Sequence, residues 1–443
     1  MAILKIEGYM CERCSHKWIS RANVKHLPIV CPKCLPPDAF ICGEFKEIKN
    51  LKVNNESYGV SGSKSKIQKV FSHNFSGRLV EVHAQGCLPI RTTPDHKILV
   101  THSIQKSRSS KRKFSRHFLK PDWVLARELV RRPLSENINS HGDYLIIPKI
   151  NATFSDKTIS LSAFTTPHGL KVMAGKGASS YFSINEDSAW LLGLYVAKGI
   201  SSKKGEITLC LGKHEKNLID EALIRINRCG LSFNVKDGPT TRNIIFYSRP
   251  ISKAIMEWCG NDCYSKKVPY FIFNNKDLNM VRSFMVGYLR GDGFIRRYSG
   301  RTQVIANTVS KTLALQLQLL SIRLDSFFNI TRMDFSKYKS ILPDGRIIRG
   351  GKGFKLMASA GPITAMMGEN VRPRPNKSYV VFDNYVAVPI NKLLNFSYRG
   401  KVMNIQTEEG NYLYNNLTVK NCKSPYWNVA RKKGKLNDKK RKK

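Results

Sequence analysis

The sequence predicts an α+β chain, and three observations point there. Between residues 398 and 422, β-branched and aromatic runs punctuated by Gly410, Asn415 and Asn416 read as a strand hairpin. Two apolar stretches, 191–199 and 285–293, read as helices that set Gly193 and Gly287 94 residues apart. Two Cys-x-x-Cys pairs near the start, Cys11 with Cys14 and Cys31 with Cys34, have the spacing of a structural zinc site. At 443 residues the chain is long enough for two or three cores, and 42% hydrophobic residues argue against wholesale disorder.

Charge narrows the function classes. Lys and Arg number 74 against 32 Asp and Glu, a net charge of +42, which attracts polyanions such as DNA. The excess clusters. Lys106, Arg108, Lys111, Arg112, Lys113, Arg116 and Lys120 form one run without an acid, which reads as a set of DNA phosphate contacts or as a solvated loop. The segment 432–443 reads as a basic tail. No apolar run is long enough to span a bilayer and no signal-peptide layout opens the chain, so no membrane partner and a cytoplasmic location are expected. Eleven Cys, odd in number and mostly scattered, do not form a disulfide framework.

The two ends read as halves of one domain. Each Cys-x-x-Cys pair offers two thiolates on a tight turn, and two pairs complete a tetrahedron. After Cys34, however, the sequence does not continue as a zinc ribbon, whereas Cys422 stands alone near the far end. Removing residues 34–421 joins Cys31, Pro32 and Lys33 to Cys422, restoring the second pair. The joined product has 55 residues and the zinc ligands Cys11, Cys14, Cys31 and Cys422, and it resembles small archaeal-type zinc ribbons. A segment this short needs the metal in order to fold.

The removed segment resembles the Hint fold of inteins over about 34–150 and 378–421. The resemblance rests on Cys34, on Thr93 and His96 in a Thr-x-x-His motif, and on the terminal pair Asn421 and Cys422. It implies that Cys34 attacks the Lys33 carbonyl to form a thioester, with Thr93 and His96 assisting the departing nitrogen. Cys422 then accepts the acyl group, and Asn421 cyclises to release the segment. An unperturbed His titrates near neutrality, which suits His96 to proton transfer. Two positions depart from the family: Asn404 stands where an Asp is common and Lys420 where a His is common. Splicing needs no cofactor. In the precursor Cys34 also completes the upstream Cys-x-x-Cys pair, so zinc bound there is expected to slow the first step. Hedgehog-type autoprocessing, the nearest rival on this fold, needs no terminal Asn and Cys.

The middle of the chain resembles LAGLIDADG homing endonucleases of the DOD type. Leu191, Gly193, Lys198 and Gly199 carry one motif; Met285, Gly287, Gly291, Asp292 and Gly293 carry the other. Tyr264, Lys266 and Pro269 in the lead-in to the second also fit. The resemblance implies a pseudo-two-fold αββαββα unit that binds double-stranded DNA, with acids at both helix ends holding Mg²⁺. Asp292 is such an acid, but Lys198 occupies the partner position, and an ammonium cannot ligate a metal.

The expected domains are 1–33 and 422–443 as zinc-ribbon flanks, 34–150 and 378–421 as the Hint parts, and 165–377 as the endonuclease unit with repeats at about 185–270 and 277–370. The expected function is self-splicing by a monomer with an impaired DNA endonuclease inside it. The alternatives are a fully active double-strand endonuclease and a DNA-binding regulator that does not splice.

Overall fold

The computed structural model describes residues 8–10, 17–19, 33–107, 114–130, 142–169, 179–334, 336, 339–341, 345, 347–369 and 379–421. Cys11, Cys14, Cys31, Cys422, Arg108, Lys111, Arg112, Lys113 and the basic tail lie outside them. Two compact units divide the chain. One comprises 1–84, 89–148 and 387–443; the other comprises 85–88 and 149–386.

The first unit is built on a thirteen-stranded sheet. Its main strands are β1 (Phe40–Cys42), β2 (Lys64–Ala84), β3 (Lys97–Ser107), β4 (Gly142–Pro148), β5 (Tyr385–Thr407), β6 (Asn411–Tyr414) and β7 (Leu417–Lys420). They lie in the order β1, β6, β7, β3, β4, β5, β2. Strands from the two ends of this unit's sequence therefore alternate in one sheet, and neither end closes the core alone. The 21-residue β2 and 23-residue β5 pair antiparallel from Ile390 opposite Ala84 to Thr407 opposite Ile67. Their register shifts near both limits, between Ile390 and Lys392 and between Gln406 and Thr407. Such irregularities bend a long ribbon and re-aim side chains. Val402 and Ile405 on β5 and Ile98 and Val100 on β3 are fully buried.

Two local features follow directly from residue type. Asn415 and Asn416 both adopt positive φ (47° and 69°), as the two-residue turn between β6 and β7 requires. The Asn416 N–H reaches the Cys42 sulfur at 3.3 Å, and the Asn415 amide donates to the Pro89 carbonyl at 2.8 Å, which pins the turn. Leu35 then exchanges two backbone hydrogen bonds with Met403 on β5, at 2.8 and 2.7 Å. That bridge lays the start of this segment along β5.

The second unit repeats itself. Helix α1 (Glu186–Lys198) leads into a four-stranded sheet, and so does helix α4 (Leu278–Asp292). In both sheets the spatial order is first, second, fourth, third: Gly199–Ser201, Glu206–Gly212, Thr241–Tyr247, Phe233–Asp237 in one, and Gly293–Tyr298, Arg301–Thr308, Lys352–Ser359, Asn329–Asp334 in the other. Helices α2 (Lys216–Arg228) and α3 (Arg249–Cys259) belong to the first repeat, and α5 (Lys311–Arg323) occupies the corresponding position in the second. Residues 149–164 join this unit because Thr153 and Phe154 bond the Asn274 carbonyl and Thr158–Ser160 pairs with Tyr181–Ser183.

Capping explains where α1 and α4 begin. The Asn185 side chain accepts from the Ser188 N–H while the Ser188 hydroxyl bonds back to Asn185; the Asp277 side chain accepts from Asn279. Gly193 and Gly287 explain how closely the helices approach. A Cβ on Gly193 would sit 2.1 Å from the Phe284 carbonyl oxygen, and one on Gly287 would sit 2.0 Å from that of Trp190. Backbone is in the way at both positions, so the helices must part to admit a methyl group. Gly287→Ala is expected to destabilise this unit at or above the upper end of the usual overpacking cost, about 3 kcal/mol, read as a lowered melting temperature. Gly351→Ala, with nothing within 4 Å, is expected to leave the melt unchanged.

Candidate functional site

In the first unit the structure brings Cys34, Thr93 and Asn404 around one peptide bond. Lys33 and Cys34 are buried, at 5% and 1% exposure. The Cys34 N–H donates to the Thr93 hydroxyl at 2.8 Å, and the Thr93 N–H donates to the Cys34 carbonyl at 2.9 Å. On the other side of the same peptide, the Asn404 amide nitrogen donates to the Lys33 carbonyl at 2.6 Å. The orientation of that amide is set by its oxygen, which accepts from the Tyr412 hydroxyl and from the Ile405 N–H, each at 2.8 Å. Two donors at one end leave the other end to donate. The Leu35–Met403 bridge gives this arrangement its register.

His96 is fully buried in the same unit. Burial pushes its imidazole down to about 3; the Lys33 backbone opposes that shift and the Lys33 charge adds to it. The ring faces the Lys33 backbone, and among the described residues neither ring nitrogen meets a partner at full hydrogen-bond geometry. The near-neutral titration expected of an unperturbed His is thus lost to desolvation, and the ring is neutral at pH 7. Burial likewise pushes the Cys34 thiol far up. Sequence reasoning missed His73, whose Nε2 lies 4.0 Å from the Cys34 sulfur. Burial lowers its imidazole too. Nothing local marked His73: it sits in an alternating polar stretch of β2 and meets Cys34 only through the pairing of β2 with β5.

Near the far end of the described residues, Asn421 is buried and its amide nitrogen donates to the Thr407 carbonyl at 2.9 Å. The Thr407 hydroxyl lies 3.3 Å from the Asn421 side-chain oxygen and 2.8 Å from the Asn411 carbonyl, so one proton serves two acceptors. Thr407 was also missed. Lys420 reaches over the Trp123 ring at 5.3 Å, a cation–π contact.

In the second unit, the ends of α1 and α4 line a cleft of about 890 Å³ with Cys210, Asp262 and Thr308. The Lys198 ammonium lies 3.9 Å from the Asp292 carboxylate. Lys266 enters the same cleft and donates to the carbonyls of Tyr195 (2.9 Å) and Gly199 (2.8 Å), capping α1 with a cation where the helix dipole favours one. Burial pushes Lys266 down to about 8. It pushes Asp292 up to about 6, against the pull of Lys198 and Lys266. Two cations thus face Asp292 in place of the second acid expected from the sequence, and this donor set does not fit Mg²⁺ held between helix ends. Among the described residues, no group of three or more His, Cys, Asp or Glu can hold a metal. Of the basic run, Lys106 and Arg116 fall on β3 and on its antiparallel neighbour Phe114–Phe118.

No family model matches the chain. It is similar to the ATP-dependent DNA helicase Hel308 of Thermococcus kodakarensis, 26% identical over 398 residues that cover 85% of this chain and 35% of the helicase. It is also similar to an uncharacterised protein of Methanocaldococcus jannaschii, 25% identical over 54% of this chain and 28% of the relative. With the replication factor C small subunit of that organism it shares 29% identity over 30% of this chain and 8% of the relative. The chain thus spans about a third or less of the length of these curated relatives. Among solved structures, it is similar to I-DmoI in complex with DNA and Ca (TM-score 0.30, 14% identity, 43% of this chain and 94% of that one). It is also similar to the N-terminal LAGLIDADG domain of DUF199/WhiA (TM-score 0.28, 13% identity, 48% and 96%).

The buried acid has a measurable consequence. A carboxyl raised from 3.8 to about 6 binds more protons folded than unfolded between those values, so stability falls as pH rises through that window. Asp292→Asn is expected to remove that fall, worth roughly 1 kcal/mol once solvent screening is allowed for. Melting temperatures from pH 4 to 7 that run parallel for the two chains would contradict this assignment.

Proposed function

We propose that the chain is a self-splicing intein that excises residues 34–421 and ligates a 55-residue zinc-ribbon protein, and that it carries an embedded LAGLIDADG-type DNA-binding unit impaired in double-strand cleavage. One observation carries the reading: the peptide between Lys33 and Cys34 is held from both sides, its N–H by Thr93 and its carbonyl by Asn404. A structural peptide in a sheet does not need two buried side chains fixed on its two polar atoms; a bond about to be broken does. The relatives support the reading in another way. Parts of a helicase and of a replication factor subunit, 35% and 8% of the lengths of two differently named proteins, both match this chain. An element inserted into unrelated hosts leaves that pattern.

The chemistry then runs on this chain's own groups. The Cys34 sulfur attacks the Lys33 carbonyl carbon, the C–N bond breaks, and a thioester forms. The Cys422 sulfur takes over the acyl group. The Asn421 amide nitrogen attacks its own carbonyl carbon, which frees the Cys422 amine and leaves a succinimide on the excised segment. The thioester at Cys422 rearranges to an amide through a five-membered ring. Thr407 holds the Asn421 amide during the third step, since Lys420 is engaged with Trp123.

Intact-mass analysis of the purified full-length chain tests splicing. Species of 388 and 55 residues are expected. Material that stays whole when reduced and stripped of metal overturns the reading.

The second unit is assigned double-stranded DNA as its partner, with nicking or binding in place of double-strand breaks, because Lys198 puts an ammonium 3.9 Å from Asp292. The parent is expected to give no efficient double-strand breaks on the uninterrupted host gene with Mg²⁺, and Lys198→Asp is expected to gain Mg²⁺ affinity in calorimetry. Efficient breaks by the parent would restore the alternative of a fully active endonuclease.

A further inference from the structure

We propose that Asn404, held by Tyr412, is a catalytic hydrogen-bond donor for the oxygen that becomes negative when Cys34 attacks Lys33, a role that an ionised aspartate at the same position would oppose. The inference deepens the splicing reading and rests on it.

Three observations carry it. The Asn404 amide nitrogen is 2.6 Å from the Lys33 carbonyl oxygen, the atom on which charge develops as the carbon becomes tetrahedral. The donor is buried, at 1% exposure, so water does not compete for that oxygen from the Asn404 side and the interaction is strong in its low-dielectric surroundings. The amide is also preorganised. Its own oxygen accepts from the Tyr412 hydroxyl and the Ile405 N–H, which fixes the rotamer and polarises the amide so that its N–H becomes a better donor. Tyr412 is itself fully buried and orients Asn404 through its hydroxyl; it is a positioning residue.

The step balances without another reagent. The sulfur forms a bond to the Lys33 carbonyl carbon and gives up its proton; the carbonyl electron pair moves onto oxygen, where the Asn404 N–H meets it. When the pair returns, the C–N bond breaks and the Cys34 nitrogen leaves as an amine, carrying a proton in place of the one lost from sulfur. Asn404 exchanges no proton.

The same geometry shows what a carboxylate would do. One of its oxygens would keep the two bonds to Tyr412 and Ile405. The other would face the Lys33 oxygen at a contact distance of about 2.6 Å with no proton between them. A protonated carboxyl, the form that burial favours, would instead donate an O–H, so Asp at this position is expected to slow the first step only where it is ionised.

The experiment isolates that step. In the full chain with Asn421→Ala, which blocks cyclisation, dithiothreitol traps the thioester and releases residues 1–33, and intact mass gives the rate. Asn404→Ala is expected to slow release about 100-fold or more, in line with removal of one donor from a developing oxyanion, and Asn404→Asp is expected to fall progressively behind the parent as pH rises and the acid ionises. Tyr412→Phe, which keeps the ring, is expected to slow it about 3- to 10-fold with an unchanged melting temperature. Release from Asn404→Ala at the parent rate overturns the proposal. A Tyr412→Phe chain that melts lower but releases at the parent rate overturns the positioning role. A parent that releases nothing overturns the splicing reading itself, and this inference with it.

Discussion

The first unit depends on one constraint: the start of the segment must lie in register along β5. The two hydrogen bonds between Leu35 and Met403 impose it. A strand's side chains alternate, so a slip by one residue would turn Asn404 away from Lys33 and bring Met403 in its place. The ribbon of β5 on β2 is long enough to resist such a slip, and its pairing runs without a shift from Lys392 to Gln406, a stretch that includes Asn404. The peptide between Lys33 and Cys34 is therefore held by sheet geometry first and by side chains second. Thr93 completes the grip from the other direction, because its backbone and its hydroxyl both engage Cys34.

Desolvation runs through both units and explains their electrostatics. His96, Cys34, Lys266 and Asp292 are all moved toward their neutral forms by burial, with nearby charge a smaller influence. In the first unit this keeps the imidazole uncharged beside Lys33. In the second it leaves Asp292 between two ammonium groups without bringing its carboxyl back to an ordinary value. Sites assembled in this way give fixed dipoles more weight than mobile charges, which is why the orientation of the Asn404 amide matters more than its lack of charge.

Much of the fold was legible in the sequence, for local reasons. Asn185 and Asp277 announce helix starts, Gly199 and Gly293 announce helix ends, and the Asn415–Asn416 pair announces a two-residue turn. The repeat was legible because both halves use the same order of elements. Long-range register was not. His73 comes within 4.0 Å of Cys34 only because Val402 pairs with His73, a contact spanning more than 300 residues of sequence. Thr407 is a plain strand residue until the chain folds back at Gly410 and brings Asn421 onto it. The titration of His96 was misjudged because a motif specifies a residue type, whereas burial specifies its environment. The zinc ligands expected from the sequence, Cys11, Cys14, Cys31 and Cys422, fall outside the described residues.

The crossing of α1 and α4 separates two things that motif reading joins. Gly193 and Gly287 are required by the carbonyl oxygens of Phe284 and Trp190, whatever chemistry goes on at the helix ends. A chain with quite different chemistry at these tips would still be obliged to keep both glycines, while positions such as Lys198 were at liberty to drift. Preservation of the helical signature thus testifies to architecture, and any chemistry has to be judged from the few side chains at the tips.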